Sequence, residues 1–236
     1  MGTRIHVRHG EGTEIDRGRN GNGISVLKRW GAQSAQSREF PPSTTLFLQG
    51  DPSLEVFYLE RGLVKLIHLD ESGQESAIGM QSQDSLLGAA SVILHEPYPF
   101  AAITITSCAL SRIPADLFLH NVKTDEKFGW YLHEVHSREV HRHVSQLTAF
   151  KYLSARQRFE RFLLQFLSSI QLHEQQTSIR IRLPLKRWEI AQLIGVRPEH
   201  LSRVLQQIKR EGLLHEKDGY MIVSDVRKIP VHDDCG

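Results

Sequence analysis

An α+β fold is expected for this chain: a barrel of short strands, then one long helix, then a small helical module closed by a β-hairpin. Three observations predict it. From about Thr45 to Ile113, short runs rich in Val, Ile, Leu and Thr are cut by turn signals at Gly50-Asp51-Pro52, Glu60-Arg61-Gly62, Glu71-Ser72-Gly73 and Glu96-Pro97-Tyr98-Pro99. Many short strands at that spacing make a sandwich or barrel. From Asp125 to Phe150 there is no Pro, and Gly129 alone interrupts a polar, helix-favouring stretch. From Leu185 to Gly212 two helix-period stripes flank a glycine, and an Asp-Gly pair follows at Asp218-Gly219.

The bulk numbers set the bounds. The 236 residues suffice for one large domain or two modest ones, and 40% hydrophobic with 24% charged residues is ordinary for a globular chain. No run of about 18 apolar residues predicts a membrane span, and the first thirty residues lack the apolar centre of a secretory signal, so a cytoplasmic protein is expected. Cys108 and Cys235 are too few for a disulfide framework or a four-thiolate cluster. The net charge of +2 hides an uneven distribution. Leu66 to Ser111 contains no Lys or Arg, whereas Lys186 to Lys228 holds nine basic residues against six acidic ones. Such a chain suits nucleic-acid binding at its C-terminal end only.

Residues 1–38 hold seven of the 17 glycines and no apolar periodicity, so a disordered arm is expected there. The barrel is placed at 39–122. Within it Leu63 to Leu69 alternates loosely, and the Glu-Ser-Gly turn leads into Gln74–Ile78. Pro114-Ala115-Asp116 starts a short helix. The long helix is placed at 123–152: Phe128, Leu132 and Val135 are spaced four and three apart, and Val140, Val144 and Leu147 repeat the spacing in a shifted register. So narrow a stripe predicts a seam between two helices, hence a homodimer. The last domain is placed at 153–236. Ser154-Ala155-Arg156-Gln157 has capping-box form, and Phe159, Phe162, Leu163, Phe166 and Leu167 share one face of the helix it opens. Gln171 to Ser178 reads as a polar connector, and Ile179 to Leu183 as an edge strand.

The strongest local signal lies between Leu185 and Gly212. A first helix buries Ile190, Ala191 and Leu193, with Ala191 small where two helices approach. Gly195 supplies a turn that needs positive φ. Pro198 suits the first position of the second helix, and Gly212 its end. Leu201, Val204, Leu205 and Ile208 form the buried stripe of that helix. Glu199, Ser202, Arg203 and Gln206 lie at i, i+3, i+4 and i+7 on the opposite face. Hydrogen-bonding side chains near the start of such a helix have the geometry of base readout in the major groove of double-stranded DNA: Arg pairs with guanine, Glu accepts from cytosine N4, and Ser serves several base edges. Glu199, Ser202 and Arg203 are therefore the candidate base readers, with Lys186, Arg187, Arg197, His200 and Gln206 at the DNA backbone. Leu213 to Val223, turning at Asp218-Gly219, completes a winged helix-turn-helix. Lys186 and Arg197 stand where Ser or Thr N-caps would serve better, at about 1 kcal/mol each.

From about Thr45 to Lys228 the chain resembles the CRP/FNR superfamily of bacterial regulators. Gly50-Asp51 and Tyr58-Leu59-Glu60-Arg61-Gly62-Leu63-Val64 are similar to that family's cyclic-nucleotide-binding-type barrel, a jelly roll, and the long helix and winged module follow in the family's order. The resemblance implies a two-fold dimer on an inverted repeat, with RNA polymerase as a further partner. Pro198-Glu199-His200-Leu201-Ser202-Arg203 resembles the Glu-x-x-Ser-Arg pattern of the FNR/FixK-like branch, which implies TTGAT-like half-sites.

The barrel departs from that family's cyclic-nucleotide cassette, a Glu after a Gly and an Arg about ten residues on. Gly88 is followed by Ala89-Ala90, and Tyr98-Pro99-Phe100-Ala101-Ala102 fills the Arg region. Burying a phosphate without a cation costs several kcal/mol, so cyclic AMP is not the expected effector. No cofactor is predicted. Among the 13 histidines, His68, His95 and His120 are the haem-ligand candidates, though surface or structural roles account for each more simply. His133, His136, His141 and His143 crowd the long helix, where a solvated face competes with metal or pH sensing. Leu86, Leu87, Val92, Ile93, Leu94, Tyr98 and Phe100 leave an apolar barrel interior, either filled core or a hydrophobic effector site. Two other classes compete: a metal-dependent cupin-type barrel enzyme, and a ligand-sensing regulatory protein that never touches DNA. The first needs a His-x-His pair on a strand, whereas His141-Arg142-His143 falls on the helix. The winged module argues against the second.

Overall fold

The computed structural model describes residues 37–169 and 178–230. Most of the N-terminal arm, the greater part of the polar connector and Cys235 lie outside these residues. Eight strands form the barrel: β1 (Ser37–Phe40), β2 (Thr45–Phe47), β3 (Glu55–Arg61), β4 (Val64–Leu69), β5 (Glu75–Gln81), β6 (Ser85–Leu87), β7 (Ala101–Thr104) and β8 (Cys108–Pro114). They form two antiparallel sheets, ordered β1-β8-β3-β6 and β2-β7-β4-β5, which is a jelly roll. The first strand starts at Ser37, two residues before the expected boundary, because Ser37 and Arg38 pair with Ser111 and Leu110. The β4–β5 turn is built by Asp70, whose carboxylate accepts from Ser72 N and Gln74 N, both at 2.9 Å.

Aromatic rings fill the barrel interior. Tyr98 is 4% exposed and stacks on Phe47 with ring centroids 3.9 Å apart. Its hydroxyl donates to Glu55 O at 2.6 Å, satisfying a group that would be costly to bury alone. Phe57, Leu59, Leu87, Leu110 and the buried Cys108 complete this cluster. Gly88 begins a short helix, α1 (Ala89–Leu94), at φ 82°, and a Cβ there would stand 2.7 Å from the Tyr98 ring.

Two further helices lie against the barrel, α2 (Ala115–Thr124) and α3 (Glu126–Tyr152). Asp125 caps α3, accepting from Lys127 N and Phe128 N. The expected single stripe along α3 divides in two. Phe128, Leu132 and Val135 are buried against Tyr58, Leu86 and Phe118 of the same chain, whereas Val140, Val144 and Leu147 are 62%, 56% and 67% exposed. At about 100° per residue the two sets point roughly a third of a turn apart, so Leu132 and Val135 belong to the chain's own core rather than to a seam.

After α3 come α4 (Ala155–Ser169), β9 (Ile179–Ile181), α5 (Arg187–Leu193), α6 (Pro198–Arg210), β10 (Leu214–Lys217) and β11 (Tyr220–Val223). The capping box at Ser154 forms as expected: Ser154 N donates to Gln157 Oε1 and Gln157 N to Ser154 Oγ. Phe159, Phe162, Leu163, Phe166 and Leu167 are all buried, in one cluster with Ile190, Ala191, Leu201 and Leu205. That cluster continues into Leu63, Ile67, Ala77 and Ala101 of the barrel.

Candidate nucleic-acid interface

The helix-turn-helix is built as its sequence requires. Gly195 takes φ 65° and Gly212 φ 72°, while Asp218 and Gly219 at φ 53° and 76° make the wing turn. The wing strands β10 and β11 pair antiparallel, and β9 adds to the outer side of β11. Pro198 occupies the first turn of α6, and Arg197, its N-cap, contributes no side-chain bond. Lys186 likewise makes no side-chain cap for α5. There Glu189 compensates: its Oε2 accepts from Lys186 N at 2.6 Å.

Gly195 answers two demands. Besides its positive φ, a Cβ at this position would come 2.8 Å from Phe150 Cε1 and 3.0 Å from Cδ1. Gly195→Ala is therefore expected to lose about 2–4 kcal/mol in urea unfolding, of which about 1–2 kcal/mol is backbone strain and the remainder the clash with Phe150. In a Phe150→Ala background the steric share should vanish. An equal cost in both backgrounds would refute the contact with Phe150.

On α6 the two faces separate fully. Leu201, Val204, Leu205 and Ile208 are 0%, 7%, 4% and 4% exposed, while Glu199, His200, Arg203 and Gln206 are exposed and Ser202 is half-buried. Glu199 sits in the first turn, where the helix dipole favours a negative charge. Neither Glu199 nor Arg203 has an ion-pair partner among the described residues, so both side chains remain available. Ser202 differs: its Oγ donates to Pro198 O at 3.0 Å, which leaves the oxygen as an acceptor only. Among the expected backbone contacts, Lys186, Arg187, Arg197 and His200 are all exposed. Arg187 is not free, since its guanidinium pairs at 2.9 Å with Glu216 of the wing, which also pairs with Lys209 at 2.7 Å.

Long-range contacts that no local pattern signals seat this module on the barrel. Helix α5 packs on β5. Ala77 N donates to Gln192 Oε1 at 2.7 Å, and Lys65 of β4 pairs with Glu189, whose side chain is 3% exposed. One carboxylate thus serves both the start of α5 and the barrel. A buried pair of this kind is costly to break from one side, since the remaining charge loses its partner.

Among the described residues the histidines do not assemble into a site. His68, His95 and His120 are exposed on the barrel's outside, and no group of three or more His, Cys, Asp or Glu suited to a metal occurs among the described residues. Burial, with His133 nearby, holds the His136 imidazole below its ordinary range. Among the described residues no helix is long and apolar enough to cross a membrane.

Comparison with known proteins accords with this geometry. Residues 37–125 match the family described as the cyclic nucleotide-binding domain, and residues 157–229 the Crp-like helix-turn-helix domain. The chain is 24% identical over 179 residues to the transcriptional activator protein FnrA of Stutzerimonas stutzeri, covering 76% of this chain and 72% of that one. It is 22% identical over 194 residues to the CRP-like cAMP-activated global transcriptional regulator of Mycobacterium tuberculosis, covering 82% and 86%. In fold it is similar to FixK2 from Bradyrhizobium japonicum, with TM-score 0.66 and 16% identity over 83% of this chain and 95% of that one. It is also similar to the c-di-GMP responsive global regulator CLP of Xanthomonas campestris, with TM-score 0.68 and 19% identity over 84% and 98%.

Proposed function

The chain belongs to the CRP/FNR superfamily of DNA-binding transcription regulators, and we propose that it works as a symmetric dimer whose α6 helices read an inverted repeat of TTGAT-like half-sites. The observation that carries this reading is the exposed face of α6, where Glu199 and Arg203 stand one turn apart with no ion-pair partner among the described residues. In it Glu199, Ser202 and Arg203 read bases, and Ser202 does so as an acceptor. Lys186, Arg197, His200 and Gln206 meet the phosphate backbone. Arg187 joins them only by sharing or leaving its pair with Glu216.

Dimerisation is supported by the exposed side of α3. Trp130, Val140, Val144 and Leu147 fall on heptad a/d spacing and are 68%, 62%, 56% and 67% exposed, a strip that water should not keep on a long helix. Pairing two such strips places the two α6 helices about a common axis, as an inverted repeat requires. A cytoplasmic location and contact with RNA polymerase follow from the same role.

The effector in this reading is not cyclic AMP. Phe47 and Tyr98 stack within the barrel interior, and no Lys or Arg lies between Lys65 and Arg112 to meet a phosphate. Both flanking cations are engaged elsewhere, Lys65 with Glu189 and Arg112 with Glu55. Gel-shift titration on a duplex carrying two TTGAT-like half-sites tests the whole reading. A sharp, salt-sensitive shift, unmoved by millimolar cyclic AMP, is expected. Equal affinity for a scrambled duplex at every salt concentration would remove the claim of specific reading, and a large gain with cyclic AMP would remove the claim about the effector.

A further inference from the structure

The helix-turn-helix module meets the barrel through two kinds of contact. The apolar kind is the more extensive: Ile190, Ala191 and Leu193 share one buried cluster with Leu63, Ile67, Ala77 and Ala101. Apolar burial is non-directional, so by itself it holds the module down without fixing how it is turned. The polar kind is directional. Lys65 of β4 pairs with Glu189, and Ala77 N of β5 donates to Gln192 Oε1 at 2.7 Å. Glu189 and Gln192 stand three apart on one side of α5, and their two partners come from neighbouring strands.

Both oxygens of Glu189 are used. One takes Lys65 and the other takes Lys186 N at 2.6 Å, so the start of α5 and the barrel share one carboxylate whose side chain is 3% exposed. Leu66 to Ser111 contains no Lys or Arg that could replace Lys65. A buried pair of this kind adds little stability over apolar packing, but it accepts one register and penalises the others. With the module held in that register, Glu199, His200, Arg203 and Gln206 stay exposed. The latch therefore presents α6 rather than masking it.

We propose that Lys65, Glu189 and Gln192 are positioning residues that set which spacing of half-sites the dimer accepts. The first part of α3 is packed on the barrel through Phe128, Leu132 and Val135. Fixing α5 to β4 and β5 therefore fixes each α6 relative to the dimer helix. One inserted base pair moves a half-site by about 3.4 Å and turns it by about 34°. Latched modules cannot follow that displacement, whereas unlatched ones can. The spacing consequence rests on the DNA-reading dimer proposed above; the latch itself does not.

Hydrogen exchange on the full chain without DNA reads the latch directly, because the Ala77 amide makes one of its bonds. K65M leaves Glu189 charged and buried with no cation. Ala77 exchange should then speed up roughly tenfold or more, while the amides that bond β5 to β4 keep their protection. K65M/E189Q removes the charge and keeps an oxygen to cap α5, so the Ala77 protection should largely return. Gel-shift then uses duplexes of two TTGAT-like half-sites with spacers varied in steps of one base pair. Wild type should favour one spacer and lose roughly tenfold or more one base pair to either side, K65M and Q192A less than about threefold, with affinity for a single half-site unchanged. Q192A gives up only one hydrogen bond, so it keeps the test decisive if K65M folds poorly. Ala77 protection that K65M leaves intact would overturn the latch. The wild-type spacer profile in both K65M and Q192A would overturn the spacing claim alone. A wild type indifferent to half-site sequence would instead remove the DNA-reading role, and the spacing claim with it.

Discussion

Replacing Val140 and Val144 together by Glu is expected to turn the dimer into a monomer in sedimentation at micromolar concentration. Each chain would lose two apolar side chains from the seam, worth about 1.5–3 kcal/mol apiece when fully buried, and four carboxylates would face one another across it. The dimerisation constant should weaken by at least about four orders of magnitude. DNA binding falls with it, because the second half-site is then no longer engaged intramolecularly; that tether is commonly worth about 10²–10⁴ in affinity. The chain itself should stay folded, since both valines are more than half exposed within it. Leu132→Ala supplies the contrast. That side chain is 6% exposed under the barrel, so its loss should cost about 2–5 kcal/mol of stability and leave the association of folded chains intact. A double-Glu variant that sediments as wild type would place the interface elsewhere.

The same helix shows what a sequence tells and what it withholds. Periodicity reports which side chains share a face, and both triplets of α3 are plain at spacings of four and three. It does not report what a face meets. The five-residue step from Val135 to Val140 was the available signal that two faces were involved, one for the chain's own barrel and one outward. The helix-turn-helix was far more legible because its constraints are local: a positive-φ glycine, a proline at a helix start, an Asp-Gly turn and a buried stripe within 13 residues of α6. The missing N-cap at Lys186 looked like a defect until Glu189, three residues on, was found to accept from its N–H. That relation was readable as half of a capping box. The Lys65–Glu189 and Ala77–Gln192 contacts join residues 124 and 115 positions apart, where no spacing rule reaches. The barrel interior lay between these cases. Of the residues expected there, Leu87, Tyr98 and Phe100 belong to it, whereas Leu86, Val92 and Ile93 pack with Phe118 and Phe128 instead and Leu94 is 63% exposed. Only packing shows Tyr98 stacked on Phe47 with its hydroxyl tied to the Glu55 backbone.

Base readout by α6 makes the second large prediction. If Arg203 pairs with the guanine of the half-site, Arg203→Ala should cost about 1–3 kcal/mol per half-site and relax preference at that base pair. Two symmetric half-sites bring the loss to roughly 30-fold at the least, and to more than 10⁴-fold at the upper end. Lys186→Ala or Arg197→Ala acts differently: each should weaken all sequences about equally and flatten the salt dependence by about one counterion per half-site. Arg187→Ala should fall short of that, because the wild-type guanidinium first has to give up Glu216. Glu199 is the sharper case. A carboxylate near phosphates is repelled unless a base amino group rewards it, and none of the described residues pairs with this one. Glu199→Ala should therefore bind random-sequence DNA slightly more tightly while losing discrimination at one base pair. Both side chains are exposed and make no ion pair among the described residues, so neither substitution should alter the melting temperature by more than a few degrees. Selection from a randomised half-site, run on wild type and both variants at one salt concentration, decides the matter. Should all three return the same consensus, α6 lies on the DNA without reading it.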